Sequence, residues 1–358
     1  MNIQIAPRVL TDPRWHPLLD AVVSILQQSG IRHGFEVSQI AALIKSPWLA
    51  HAIGTRATTA EFIRSSAKAV SRDGQSDAVT ILLDDLASLS GVNLQGNVVS
   101  IHPFGALTIL MQPLHLIVED ESSDGAFLLW IARLLGRDAV RRSYRAGRLS
   151  FRHAGGKGQI VKSARALTFG VWPREGEQHN ARGKTDEPIL SLQLRAIALL
   201  DSDADFLGHE PNKQIAQDVV PYVASVHILR CRAIENYVSL LYAQRHLGLI
   251  PSLRAYFRMS EPQRSHFPIK KGFRHADRQQ AQDHATFLAD QSRAPQVREL
   301  FRSVDARDWD QFADGFGSAF ADVFSKPECR CEPNHQNQLT REQKTELNAF
   351  LTQVIKYL

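Results

Sequence analysis

Apolar positions along the chain fall into two regimes. Up to about residue 110 they recur at helical spacing: Leu18, Leu19, Val22, Val23 and Leu26 after Pro13 and Pro17, then Val37, Ile40, Ala41, Leu43 and Ile44 after Gly30 and Gly34. The same spacing predicts helices over 59–69 and 76–89, the second with Ile81, Leu82, Leu86 and Leu89 on its apolar face, before Gly91 and Gly96 break the pattern. Residues 98–101 and 107–111 are short apolar runs that read as strands. The expectation for 1–110 is a mainly helical N-terminal domain with a structural or partner-binding role. Helices followed by strands also fit a winged-helix DNA binder.

From Leu114 the pattern changes to strands alternating with helices, which predicts βαβ units and a mostly parallel sheet. The stretch LHLIVEDESSDGAFLL, 114–129, opens this part. Leu116, Ile117 and Val118 form an apolar run of the kind buried on both faces, and Glu119, Asp120 and Glu121 follow at its carboxyl end. Ser122 or Ser123 can cap the next helix, with Asp124 in its first turn and Gly136 at its end. Ligands of open α/β sheets bind beyond the carboxyl ends of the strands, so acids placed there are candidates for metal or phosphate chemistry.

Three further stretches carry candidate chemistry. The sequence FRHAGGKG, 151–158, reads as a strand end entering a glycine turn, where backbone amides can approach an anion and Lys157 adds a mobile charge. The sequence RAIALLDSDAD, 195–205, again delivers acids from an apolar strand. In extended chain Asp201 and Asp203 would face one side and could share a cation. Residues 227–232 read as a short strand running into a helix that begins at AIENYV and carries Glu235 in its first turn, where the helix dipole favours an acid.

Charge changes the picture in one region. Arg137, Arg141, Arg142, Arg145, Arg148, Arg152, Lys157, Lys162 and Arg165 form a tract of one sign, which is either a solvated helix face or a grip for a polyanion. The turn FPIKKGFR, 267–274, offers Lys270 and Lys271 to a phosphate or simply forms a surface loop. Residues 173–188 read as an exposed loop. Past Pro251 the chain is polar and helical, a C-terminal cap closing in an amphipathic helix over 344–358.

The 358 residues are thus read as three regions: 1–110 helical, 111–245 α/β, and 246–358 helical. No run of about 18 apolar residues and no basic-then-apolar leader is present, so a cytoplasmic protein with no membrane segment is expected. The three cysteines make no disulfide framework. Cys329, Cys331 and His335 lack a fourth ligand for structural zinc.

Taken together and in order, VEDESSD, HAGGKG, LLDSDAD and RAIENYV resemble the Toprim fold of nucleases over about a third of the chain. The nearest likeness is to overcoming-lysogenization-defect nucleases and to Toprim-like effectors of bacterial anti-phage defence. The resemblance implies a Mg²⁺- or Mn²⁺-dependent endonuclease acting on DNA or RNA. It implies metal ligands at Glu119, Asp201 and Asp203, with Glu121 or Glu235 completing a second site, and Lys157 stabilising charge on the phosphate. Where the family has glycine after its first glutamate this chain has Asp120, which keeps both Glu119 and Glu121 as candidates for the first ligand. Carboxylates suit these hard cations. Arg141, Arg142, Arg145, Arg152, Lys162, Lys270 and Lys271 would hold the nucleic-acid backbone. A partner ATPase and a homo-oligomer are both compatible with such effectors. The rival from another class is a catalytically silent Toprim-like module that binds an ATPase or nucleic acid. A response-regulator receiver fits less well, since the next strand-end aspartate comes about 80 residues on, too far for that fold. The architecture of a topoisomerase and the zinc ribbon of a primase are not seen.

Overall fold

A computed structural model describes residues 2–28, 34–51, 56–72, 79–87, 93–95, 97–169, 190–248, 250–273, 283–317, 320, 323–325 and 339–358. The loop read at 173–188 and the Cys329, Cys331 and His335 set lie outside the described residues.

The chain is α/β and builds two sheets. Strands β1 (Asn2–Ile5), β2 (Gly34–Phe35), β3 (Thr80–Leu83), β4 (Asn93–Gln95) and β5 (Val98–Ile101) form a first sheet in the order β2-β1-β3-β5-β4, parallel except for β4. Helices do occupy most of 1–110, including His16–Gln28, Ile40–Lys45 and Arg56–Arg72, but they pack on this sheet. Two expectations are corrected here. The run read as a helix over 76–89 contains β3, and 107–111 is the end of a helix, Pro103–Met111, whose first turn is set by Pro103 and by the His102 ring accepting from Phe104 N–H. A parallel sheet also sets aside the winged-helix reading.

Strands β6 (Leu114–Val118), β7 (Leu149–His153), β8 (Ala196–Leu200) and β9 (Ser225–Ile228) form a second sheet in the order β7-β6-β8-β9, all parallel. Alternation along each strand decides which layer each side chain joins. Leu114, Leu116, Val118, Ile197 and Leu199 enter a core shared with the C-terminal helices, whereas Ile117, Ala196, Ala198 and Leu200 pack on the helices Lys157–Phe169 and Lys213–Val219. The C-terminal region therefore shares one layer of this α/β unit with the helices over 123–134 and 138–145, continuous with its core. An aromatic nest fills it: Trp309 is fully buried, stacks on Phe273 at 4.9 Å and meets Phe287 at 4.5 Å.

Two polar anchors join the parts. Arg195, 3% exposed, donates to Gln112 O at 2.8 Å and Tyr357 O at 2.8 Å, so one guanidinium ties the inter-sheet connection to the last helix, Arg341–Tyr357. Glu346 of that helix accepts from the Tyr237 hydroxyl at 2.7 Å and from Arg230 N–H at 2.9 Å, fixing the loop that follows β9.

His115 on β6 gives a pH test of this packing. Burial, with Arg152 and Arg195 nearby, holds its imidazole down to about 4, and its Nδ1 lies 2.7 Å from Ser150 Oγ. The unfolded chain protonates near 6.5 and so binds more protons between 6.5 and about 4. Wild type should therefore lose stability relative to His115→Gln as pH falls through that window. Urea midpoints at pH 7 and pH 4.5 would show it, and a pH-independent difference would sink the argument.

Candidate active site

The chain runs from β6 outward to β7, then returns past β6 to β8. Strand order therefore reverses between β6 and β8, and their carboxyl ends diverge into a crevice, the usual ligand position of such sheets. The first sheet has the corresponding reversal between β1 and β3, but there Arg8 pairs with both Asp84 and Asp85 and offsets half of their charge. In the second sheet the acids outnumber their partners.

Glu119 follows β6 directly. The next residues fold tightly: Asp120 accepts from Ser122 N–H at 2.7 Å and Ser123 N–H at 3.3 Å, so Asp120, not Ser122 or Ser123, caps the helix Ser123–Leu134. Asp124 accepts from Asp120 N–H at 3.0 Å. On the neighbouring strand, Ala154 N–H donates to Val118 O at 2.9 Å and zips the end of β7 to the end of β6. Gly155 and Gly156 then turn at φ 78° and 105°, which leaves Lys157 at the start of its helix beside Glu119, with Nζ 3.7 Å from Glu119 Oε1 and paired with Asp203.

Asp201 and Asp203 converge differently from expectation. Strand β8 ends at Leu200, and Asp203 is left-handed at φ 52°, so a turn rather than extended alternation brings the two acids together. Asn212 holds that turn, donating through Nδ2 to Asp201 O at 2.6 Å and Asp203 Oδ2 at 3.0 Å, and Asp203 N–H donates to Arg232 O at 2.9 Å. Strand β9 stops at Ile228, and the expected helix over AIENYV is a single 3-10 turn, Ile234–Tyr237. Its Glu235 is 1% exposed, with Oε1 2.9 Å from Lys270 Nζ and Oε2 without a hydrogen-bond partner among the described residues.

The electrostatics follow from this crowding. Burial lifts Asp201 well above the usual carboxylate range, and Asp124, Glu235 and Glu119 push the same way against Lys157. Burial, with Glu235 close by, pushes Asp124 up to about 6. Burial also raises Glu119 against the pull of Lys157, and its buried Oε1 has no hydrogen-bond partner among the described residues. Burial alone would lower the Lys270 ammonium, but Glu235, then Asp201 and Asp124, hold it above its ordinary value. The cluster is an acidic pocket with too little positive charge of its own.

Other candidates lie elsewhere. Glu121 is exposed and lines a groove of about 530 Å³ with Phe151, Arg152, His153, Gln159 and Lys162, outside the acid cluster, which leaves Glu119 as the strand-end acid at the site. The basic tract wraps the edge strand β7 instead of forming one face. Arg141, Arg142 and Arg145 ride the helix Asp138–Arg145, whose Val140 joins the core shared with the C-terminal layer, while Lys162 rides the helix of the opposite layer. Arg141 pairs with Asp138 at 3.1 Å, whereas Arg142, Arg145, Arg152, Lys162 and Lys271 are exposed. Lys270 is not a free grip for phosphate: it reaches into the acid cluster.

The oxygens present fit a hard divalent ion, since Glu119, Asp201 and Asp203 offer carboxylates, and one of them carries an orphaned buried atom. Among the described residues no group of three His, Cys, Asp or Glu side chains is already arranged as a metal cage, and Lys157 bridges Glu119 and Asp203. Asp124 and Asn212 were missed as site residues, and Lys270, expected on the nucleic-acid backbone, is paired with Glu235 instead. Asp124 stood in the quoted motif but read as a first-turn acid; Asn212 has no local signal at all. Comparison with protein-family models, with curated proteins and with solved structures finds no match for this chain.

Proposed function

We propose that this chain is a divalent-metal-dependent nuclease that hydrolyses phosphodiester bonds of DNA or RNA. The observation that carries the reading is the meeting of Glu119 and Asp201, partly buried among more acids than cations, at the strand-order reversal of a parallel sheet, with Lys157 beside them. Glu119, Asp201 and Asp203 would hold Mg²⁺ or Mn²⁺, which would supply a bound hydroxide and polarise the phosphoryl group. Lys157, at a helix N-terminus, would face the charge that builds on the phosphate oxygens. Asn212 keeps Asp201 and Asp203 in register, and the exposed arginines and lysines along β7 would hold the backbone without reading bases. The motif resemblance adds a role as the effector of a bacterial anti-phage system, working with an ATPase partner in the cytoplasm.

A second reading has its own support. With Lys157 bridging two of the acids and Lys270 on a third, the pocket is partly self-neutralised, as in a silent module that only binds an ATPase or nucleic acid. One assay separates the two. Purified protein with supercoiled plasmid and with structured RNA should cleave one of them under Mg²⁺ or Mn²⁺ and stop with EDTA. Glu119→Gln should lose cleavage by at least about 100-fold, the scale of removing one preorganised charged group, while still retarding the substrate in a gel. Binding without cleavage in wild type, under either ion and with candidate partners present, would favour the silent module.

A further inference from the structure

We propose that the Lys270 ammonium stands in the place of a second metal ion, so that the site binds one divalent cation per chain. The inference rests on the metal-dependent reading and adds its stoichiometry and a second catalytic lysine.

It comes from asking which carboxylate oxygens remain for a second ion. Glu121 faces the groove beside β7, away from the cluster. Asp124 already accepts from Asp120 N–H through Oδ2 and from the Ser123 hydroxyl, at 3.4 Å, through Oδ1. Glu235 is sealed from solvent, its side chain 0% exposed, and the group in front of Oε1 is Lys270 Nζ at 2.9 Å. A hard ion keeps several oxygen ligands, often including water, and a fully enclosed carboxylate behind an ammonium is poorly placed to be one. Glu119, Asp201 and Asp203 are left, partly open to solvent where Glu235 is not, and enough for one ion that displaces Lys157 from Asp203.

Lys270, its side chain 45% exposed, sits on a backbone that is held in place. Its turn is clamped from both sides: Gly317 N–H donates to Lys270 O at 3.0 Å, Phe316 N–H to Ile269 O at 2.7 Å, and Phe273 N–H to Ala313 O at 2.7 Å. Asn236, next to Glu235, donates through Nδ2 to Phe267 O at 2.9 Å, which ties the turn to the glutamate it serves. The C-terminal layer thus delivers a positive charge to the acids of the sheet at a set position. A lysine placed so can stabilise charge on the phosphate or leaving oxygen, work that a second ion does in two-metal sites.

The test counts metal directly. Full-length protein titrated with Mn²⁺ by calorimetry, with the free ion followed by electron paramagnetic resonance, should take up one Mn²⁺ per chain. Lys270→Met should still bind one Mn²⁺ with its Kd within about threefold but cleave about 100-fold more slowly, and Lys270→Arg should recover part of that loss. Because Lys270→Met leaves Glu235 buried and unpaired, the double variant Lys270→Met with Glu235→Gln serves as the charge-balanced form, expected to bind one Mn²⁺ and stay slow. Two Mn²⁺ on wild type, or wild-type cleavage in a folded Lys270→Met protein, would overturn the inference and leave the nuclease reading standing. No Mn²⁺ bound and no cleavage would instead defeat the metal-dependent reading beneath it.

Discussion

Asp201→Asn is expected to abolish metal-dependent cleavage and, without added metal, to make the protein more stable. The two effects have one cause. Asp201 lies among Glu119, Asp124 and Glu235, and burial together with those neighbours raises its carboxyl well above the ordinary range. An acid whose folded pKa is raised binds protons more tightly folded than unfolded, so its stability contribution is largest at low pH and is lost as pH rises. At pH 7.5 burying Asp201 among these acids opposes folding. Asparagine of the same shape removes that opposition and leaves the Asn212 bond to the backbone Asp201 O in place. The thermal midpoint at pH 7.5 in EDTA should rise by at least about 2 °C, the shift that roughly 1 kcal/mol gives in a chain of this size. Cleavage should fall by about 100-fold or more, since a ligand oxygen is lost. Added Mn²⁺ should raise the wild-type midpoint, because binding to the native state stabilises it, and should scarcely move the variant's. A variant less stable than wild type in EDTA would mean that Asp201 is a satisfied structural acid.

Asp124 should behave in the same sense with a window that can be named. Its carboxyl is pushed up to about 6 from an ordinary value of 3.8. Its share of stability is present below about 4 and is lost as pH rises through 6.

The second sheet was legible because its two central strands are covered on both faces. LHLIV and AIALL are near-continuous apolar runs ended by acids, a pattern that periodicity reads directly. Of the first sheet, β5 was legible as the apolar run 98–101, whereas three strands were hidden, each for its own reason. Strand β2 has two residues, β1 opens the chain as the alternating NIQI, and β3 sits inside a run whose Ile81, Leu82 and Leu86 fit a helix equally well. The helix Pro103–Met111 was read as a strand because a short run apolar all round has no face to reveal its period; Pro103 after a capping His102 was the signal passed over. At the site, the residues on strand ends were found, whereas Asn212 was not, and Lys270 was expected on the substrate backbone and not on Glu235. Glu119, Lys157, Asp201 and Asp203 announce themselves by position. Lys270 reaches Glu235 across 35 residues of chain, and no local pattern distinguishes its inward turn from a surface loop.

That inward turn gives the second large effect: Gly272→Ala should cost about 2–5 kcal/mol, against about 1 kcal/mol for Gly136→Ala. Both glycines are left-handed, Gly272 at φ 62° and Gly136 at φ 68°, so the backbone penalty of an added methyl is alike. They differ in what that methyl would meet. At Gly136 nothing lies within 4 Å, whereas at Gly272 it would fall 2.0 Å from Ala313 O and 2.4 Å from Gly315 N. Those are backbone atoms, which cannot swing aside as a side-chain tip can. Relief requires moving the segment 313–317, which bonds Phe273 N–H and Lys270 O, and Phe273 carries the stack on Trp309 into the core. The same movement would draw Lys270 from Glu235, so cleavage should fall in Gly272→Ala even where the protein is still folded, and remain near wild type in Gly136→Ala. Urea midpoints of the two variants, with cleavage measured well below each transition, test both halves. Equal midpoints would show that the clamp on the turn is looser than its backbone contacts imply. A destabilised Gly272→Ala with undiminished cleavage would show that Lys270 does not need the clamp to reach the acids.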